Sequence, residues 1–474
     1  MKTLENENIV ETSNGMGANA STLNECVNLF FQIGAMRGKD KTALLQMFSS
    51  AYSEDPLTAT KVLFWVRDVR GGAGERQIFK DIIEYLAENA TDTVRKNLPL
   101  IPEFGRWDDV LTLVGTEVEN DVFDLIRTAL DNGDGLCAKW MPRKGKVANA
   151  IRKSFKVSPK VYRKTLVELT SVVETAMCAK DYGDVDYSKL PSVASSRYQK
   201  AFLKNDEDKY NAYKVALESG EAKVNAGAVY PYDIIKSIKQ GGDVVVNNAQ
   251  WESLPNFMEG TEERVLPVVD VSGSMSTPAG GNDNLSCMDV AISLGMYISE
   301  RNEGNFKDAF VTFSSNPTLQ YLKGSLEKRL NQLRNAEWGM STDIQAVFEL
   351  ILNQAKMYNI PQDKMPTKIL ILSDMQFNEA TSSRWDRVKE YNPTAQDMIE
   401  ALYEEAGYTK PDVIYWNLSA SIGNFPVEFN KMGTALVSGF SPSILKSLLA
   451  GKSMTPQSIL MDTVGSERYS LITV

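Results

Sequence analysis

The apolar spacing of this chain changes period near residue 260, and that change commits it to two unlike halves. From about Leu23 to about Lys239 apolar residues recur three and four apart, as in Ala59, Val62, Leu63, Val66 and Val69 and again in Ile78, Ile82, Tyr85 and Leu86. This is the pattern of helices with one buried stripe. The breaks carry turn chemistry, among them 70–74, 102–105, 132–135, Ser158-Pro159 and Tyr182-Gly183. Short adjacent helices bury their stripes by stacking in pairs, so this half is expected to be an all-α, HEAT-like solenoid, although no internal self-similarity marks a repeat. After Glu263, runs of strand length alternate with amphipathic stretches. Strands are expected at 265–271, 309–313, 318–322, 368–372, 413–418 and 434–437, with one helix carried by Val290, Leu294, Tyr297 and Ile298 and another by Ile344, Val347, Phe348, Ile351 and Leu352. Such alternation builds a mostly parallel sheet with helices on both faces, a doubly wound, Rossmann-like α/β domain that binds ligands at the carboxyl ends of its strands.

A length of 474 residues exceeds one ordinary core, and at ~100–200 residues per domain two domains are expected. They are placed at 22–258 (helical) and 259–474 (α/β), after a disordered tail at 1–21. That tail is polar, carries Glu5, Glu7 and Glu11, and lacks the basic-then-apolar order of a signal peptide. No apolar run approaches the ~20 residues that span a bilayer, so no membrane partner is expected. Cys26, Cys137, Cys178 and Cys287 lie far apart without a Cys-x-x-Cys pair, which argues against a zinc site or a disulfide framework and for a cytoplasmic location. Histidine is absent, which removes Ser-His-Asp and Cys-His catalysis, His-ligated zinc and imidazole bases together. The net charge of −10 leaves nucleic-acid binding to a local patch.

The expected strand at 265–271 ends in an acid followed by two hydroxyls, Asp270, Ser272 and Ser274, spaced two apart so that all three converge where strand meets loop. Carboxylate and hydroxyl oxygens suit a hard divalent cation such as Mg²⁺. The competing reading is a hydrogen-bonded turn in which the acid caps backbone amides. Two later segments join it: a loop at 339–344 containing Thr342, and an apolar strand ending in Asp374. Asp270, Ser272, Ser274, Thr342 and Asp374, in this order on this alternation, resemble the metal-ion-dependent adhesion site of von Willebrand factor A domains. The resemblance implies that Ser272, Ser274 and Thr342 contact Mg²⁺ or another divalent cation through hydroxyls. It also implies that Asp270 and Asp374 act directly or through water, and that a partner carboxylate completes the octahedron. Asp283 and Asp343 are expected to cap helices.

A helix-rich module joined to a C-terminal von Willebrand A domain with a Ser-Gly-Ser-Met turn is similar to the Ro autoantigen, whose TROVE module is a ring of HEAT-like helices that binds RNA. Landmarks of a Ro-like family stand here at 63–76, 105–111, 138–143, 162–164 and 190–194, covering most of the chain. The match to Ro itself is looser, so no RNA contact is carried over from it.

Charge gives an independent indication. Between Leu136 and Leu166 stand Lys139, Arg143, Lys144, Lys146, Arg152, Lys153, Lys156, Lys160, Arg163 and Lys164, with no acid among them. Such a strip neutralises phosphates with little sequence preference. Trp140, Phe155 and Tyr162 are interleaved, either to stack on unpaired bases or as core residues of their helices; the run itself also fits a solvated helix face. Arg67, Arg70, Arg76 and Arg106 form a weaker second strip. Gly71, Gly72 and Gly74 follow a helix and lack the Lys-Ser/Thr ending of a phosphate loop, so they are expected only to join two helices. The expectation is a non-enzymatic, cytoplasmic ribonucleoprotein component that holds RNA on its basic helices and carries a magnesium adhesion site. The alternative is an assembly scaffold, of a virus particle for example, that uses the metal to bind an acidic partner. A metallohydrolase is disfavoured because no general base is evident.

Overall fold

The apolar runs at 265–271 and 368–372 become strands because both sheet faces bury them, and every residue of Val265–Asp270 and of Lys368–Ser373 is buried. The computed structural model describes residues 8–170, 172–280, 282–313, 317–334, 343–378, 394–420, 423–450 and 454–474. In chain order its strands are β1 (Ile9–Glu11), β2 (Gly17–Asn19), β3 (Val265–Asp270), β4 (Pro278–Ala279), β5 (Asn282–Ser286), β6 (Ala309–Phe313), β7 (Leu319–Tyr321), β8 (Lys368–Ser373), β9 (Asp412–Asn417) and β10 (Thr434–Ser438). Six of them form one sheet in the order β10-β9-β8-β3-β6-β7, parallel except for β7 at its edge. All six expected strands are present within two residues of their expected ends. From β3 the chain winds outward to β6 and β7, and from β8 it winds the other way to β9 and β10. The reversal falls between β3 and β8, the place where sheets of this strand order bind ligands at their carboxyl edge. Lys368 is fully buried in β8 because Asp412 accepts from its ammonium at 2.8 Å and Glu263 lies at 3.5 Å.

The chain divides into two compact units, one comprising Met1–Asp55, Tyr230–Lys239 and Asn256–Ser466, the other Pro56–Val229, Gln240–Pro255 and Glu467–Val474. This division differs from the boundary expected at 258/259, and of the tail expected to be disordered at 1–21, residues 8–21 are described and carry two strands. β1 and β2 pair antiparallel, Asn19 and Phe425 exchange backbone hydrogen bonds at 2.8 and 2.9 Å, and the Thr12 hydroxyl donates to the Phe377 carbonyl at 2.7 Å. Polar residues that read as solvated are satisfied by distant backbone. The helix Glu25–Ile33 also belongs with the sheet: all of it but Glu25 is buried, and Ser438 and Asn417 donate to the Phe30 and Phe31 carbonyls.

In the second unit, helices of 4 to 14 residues succeed one another from Pro56–Arg67 to Val244–Glu252. The short ends follow from the turn residues: Asp134 accepts from the backbone amides of Leu136 and Cys137 to start Gly135–Trp140, and Ser158 caps Pro159–Leu169, which has proline in its first turn. An aromatic cluster of Tyr187, Phe202, Tyr210 and Tyr213 closes one part of this core. The final residues dock within the same unit, Arg468 and Tyr469 both donating to the buried Asp68 carboxylate. No helix among the described residues is long and apolar enough to cross a membrane.

Candidate functional site

β3 and β8 are neighbours in register, so Asp270 and Asp374 reach the same edge of the sheet at the reversal point. After Asp270 the chain makes a 3-10 turn over Gly273–Ser276, anchored by the fully buried Met275 and by the Met275 amide donating to the Ser272 carbonyl at 3.1 Å. The turn brings the Ser272 and Ser274 hydroxyls to 3.0 Å from each other. Ser272 is buried and Ser274 exposed, so the donor set runs from the protein interior to solvent. Asp270 Oδ1 accepts from the Ser272 amide at 2.9 Å, and Oδ2 accepts from the Ser373 hydroxyl at 2.5 Å. Asp374 Oδ1 accepts from the Gln376 amide at 3.2 Å, across a turn in which Met375 takes φ 65°. The turn reading and the metal reading thus describe the same residues, since each acid caps a local amide and still faces its neighbour.

Burial pushes the Asp270 carboxyl up to about 6, and the nearby Asp374 charge adds to it against hydrogen bonds from Ser373 and Ser272. Two carboxylates and two hydroxyls make a donor set that fits a hard divalent ion. Among the described residues, no three Asp, Glu, Cys or His side chains gather into a ligand group, so a cation here depends on the serine hydroxyls. A carboxyl near 6 has the acidity of a general base, yet both Asp270 oxygens are engaged by protein donors.

The structure brings together Asp270, Ser272, Ser274 and Asp374; Thr342 lies outside the described residues. Asp343 caps its helix, accepting from the Ala346 amide at 2.9 Å, while the Asp283 side chain is not among those described. Ser373 was missed by the sequence reading. Its signal is a hydroxyl next to the strand-end acid, but its role appears only once β8 is known to lie beside β3.

Of the ten cations between 139 and 164, eight are exposed, Lys139 and Arg152 being half-buried. Lys139 pairs with Glu174 at 3.4 Å and Lys164 with the exposed Glu168 at 3.4 Å, the second a pair of little energetic weight. Arg143 donates to the Lys139 and Met141 carbonyls and to Thr170, and Arg152 to the Val157 carbonyl. Lys144, Lys146, Lys153, Lys156, Lys160 and Arg163 have no ion-pair partner among the described residues. The aromatics divide. Tyr162 is core, its hydroxyl donating to the Pro142 carbonyl. Trp140 and Phe155 are half-buried, each with an arginine over its ring, Arg106 at 4.4 Å and Arg127 at 5.0 Å. Of the second strip, Arg67 is buried against Asp109 at 2.6 Å, whereas Arg70 and Arg76 are exposed. The glycine-rich loop has a packing role: a Cβ on Gly72 would meet the Trp65 carbonyl oxygen at 1.8 Å.

Residues 12–132 and 140–266 match the family model "Domain of unknown function (DUF2828)", and residues 264–469 match "Domain of unknown function (DUF7788)". The two matches meet at β3, within a few residues of the change in sequence period and shortly after the unit boundary at Pro255/Asn256. An uncharacterized protein of Acanthamoeba polyphaga mimivirus is 30% identical over 513 aligned residues, which take in 96% of this chain and 87% of the viral one. With more than half of its residues matched by the first model and a relative aligned along nearly its whole length, this chain belongs to the DUF2828 family.

Proposed function

We propose that this protein is a non-enzymatic, cytoplasmic RNA-binding protein whose helical unit holds RNA on the surface formed by Lys139–Lys164 and whose sheet unit carries a magnesium adhesion site. The observation that carries the reading is that eight of the ten cations in an acid-free stretch are exposed, seven of them without an ion-pair partner among the described residues, on a chain of net charge −10. Unpaired cations on one run of helices serve to neutralise phosphates and release counterions. On this reading the helical unit is a HEAT-like module of the TROVE kind, supported by its succession of short helices. The sheet unit is a von Willebrand A-like domain, supported by the strand reversal between β3 and β8 with Asp270 and Asp374 at its edge. Asp270, Ser272, Ser274, Asp374 and Thr342 would hold Mg²⁺, which supplies a site for an incoming oxygen ligand.

A mobility shift with labelled RNA tests the first half. Binding weakens steeply as salt rises, and reversing Lys153, Lys156 and Arg163 to Glu abolishes it; an unchanged shift in the triple variant refutes the basic surface. A second reading, a scaffold that binds an acidic protein segment through the metal, is favoured by the exposure of Ser274 beside two buried carboxylates. It requires protein recovered free of nucleic acid, judged by the ratio of absorbance at 260 and 280 nm, and a partner released by chelator.

A further inference from the structure

The second unit contains a cleft of about 450 Å³ that neither the basic strip nor the metal site uses, within the ~300–1,000 Å³ typical of small-molecule sites. Its walls include Pro102, Leu125, Leu136 and Trp140, with Arg70 and Arg106 on its lining. Leu136 is 63% exposed, an apolar side chain left uncovered beside an open cavity. The Arg106 guanidinium carbon lies over the Trp140 ring, 4.4 Å from its centroid, with Nε 3.1 Å from Asp108 Oδ1, while its Nη2 has no hydrogen-bond partner among the described residues. Burial, together with the neighbouring Arg76 and Arg67 charges, works against its protonated form and outweighs the two aspartates beside it. Arg70 has no ion-pair partner among the described residues. Two carboxylates also line the cleft. That of Asp134 is committed, accepting from Trp107 Nε1 at 3.1 Å and from the Leu136 and Cys137 amides, which leaves the exposed Glu103 as an acceptor.

We propose that this cleft is a nucleotide site, with Arg70 and Arg106 taking the phosphate and Trp140, Leu125, Leu136 and Pro102 enclosing the base. Paired arginine donors fit a phosphate better than a single carboxylate. A flat apolar enclosure suits a heteroaromatic ring, and Glu103 offers an acceptor for its amino or ring N–H groups. A free nucleotide and a nucleotide within an RNA strand present the same chemistry, and only the second source rests on the RNA-binding reading.

Equilibrium dialysis of the full chain with labelled AMP, GMP, UMP and CMP, and with an unstructured RNA heptamer, separates these. At least one mononucleotide binds saturably, and Arg70→Glu and Leu136→Glu, both at exposed positions, each weaken it tenfold or more with unchanged circular dichroism. The strip variant Lys153→Glu, Lys156→Glu, Arg163→Glu leaves mononucleotide binding intact while losing the heptamer, so a failed strip and a failed cleft give different results. Heptamer binding that falls in both sets of variants assigns the cleft to a nucleotide of RNA; heptamer binding indifferent to Arg70→Glu assigns it to the free nucleotide. Absence of saturable binding by every mononucleotide up to millimolar concentration, or affinities unchanged in both cleft variants, overturns the proposal.

Discussion

Replacing Asp109 with alanine should open the helical unit more than any surface substitution, and the size of the effect follows from what that carboxylate holds. Asp109 is fully buried. It accepts from Arg67 Nε at 2.7 Å and lies 2.6 Å from Arg67 Nη2, and it accepts from the Arg106 amide at 2.9 Å, with Lys80 3.7 Å away. Arg67 is itself only 1% exposed, so truncating Asp109 strands a buried guanidinium, a change that costs ~3–5 kcal/mol. Relaxation is blocked on one side, because Gly105 packs where a Cβ would come within 2.4 Å of Asp109 Oδ2 and 2.7 Å of Arg67 Nε. Cys137, fully buried in the same unit, reports the opening: in a Cys178→Ser background, its labelling by an aromatic disulfide should accelerate about 100- to 3,000-fold in Asp109→Ala. The effect should be nearly independent of salt, since a buried pair is poorly screened. The double variant Arg67→Met, Asp109→Leu removes both charges and should recover most of the loss, short of the hydrogen bond no longer made to the Arg106 amide, ~1 kcal/mol. An Asp109→Ala effect below tenfold, or a double variant as unstable as the sum of its singles, would refute the claim that this pair supports the core around the arginine cleft.

Three further outcomes are expected. In the folded protein, the thiol reagent should modify Cys178 alone within minutes, because Cys26 and Cys137 are buried with their thiols pushed up to about 12 and Cys287 is also buried and raised; mass spectrometry of labelled peptides checks this. Asp289 is held below the usual carboxylate range, burial being outweighed by hydrogen bonds from Lys239 and Ser286. Its contribution to stability is therefore full above its unfolded value near ~3.9 and lost as pH falls through the lower folded value, so acid unfolding of Asp289→Asn should show a flatter decline in that window than the parent. Asp270→Asn keeps an acceptor for the Ser272 amide and removes a buried charge facing Asp374, so without divalent metal it should melt above the parent at pH 7.5, and Mg²⁺ should raise the melting temperature of the parent alone. Equal melting temperatures with and without Mg²⁺ in the parent count against the metal site.

The sheet was legible in the sequence because its strands are buried on both faces, which leaves unbroken apolar runs at 369–372 and 265–269. β1 and β2, at three residues each, carry no period that separates them from a polar tail, and what holds them is backbone pairing to Phe425, some 400 positions away. The helix Glu25–Ile33 was legible as a helix, but its unit was not. Its assignment depends on the Ser438 and Asn417 side chains reaching its carbonyls, and on Gly34, where a Cβ would fall 2.7 Å from the Ser438 carbonyl oxygen. In the basic strip, exposure was legible from the missing acids, whereas the division of its aromatics was not. Tyr162 goes inward because it stands four residues from Leu166 on the buried stripe of its helix, whereas Trp140 stays half-buried with Arg106 over its ring.

The candidate metal site shows why local motif and global topology have to agree before such a reading has force. Asp270, Ser272 and Ser274 are placed by eleven consecutive residues and would converge in many folds, as would a simple capped turn. Ser373 and Asp374 reach them only because β8 lies against β3 in parallel register, Val269 opposite Leu372, at the one position where the strand order reverses. A reversal anywhere else in the sheet would bury the second acid beneath a crossover helix, where desolvation without a partner would exclude it. The sequence keeps two acids at the ends of the two strands that flank this reversal, and the Asp270 carboxyl is raised there by burial and by its neighbour. A protein that needed these residues only as turn caps would gain stability by substituting asparagine at either position, which is why the metal-free stability of Asp270→Asn, rather than its folding, is the decisive comparison.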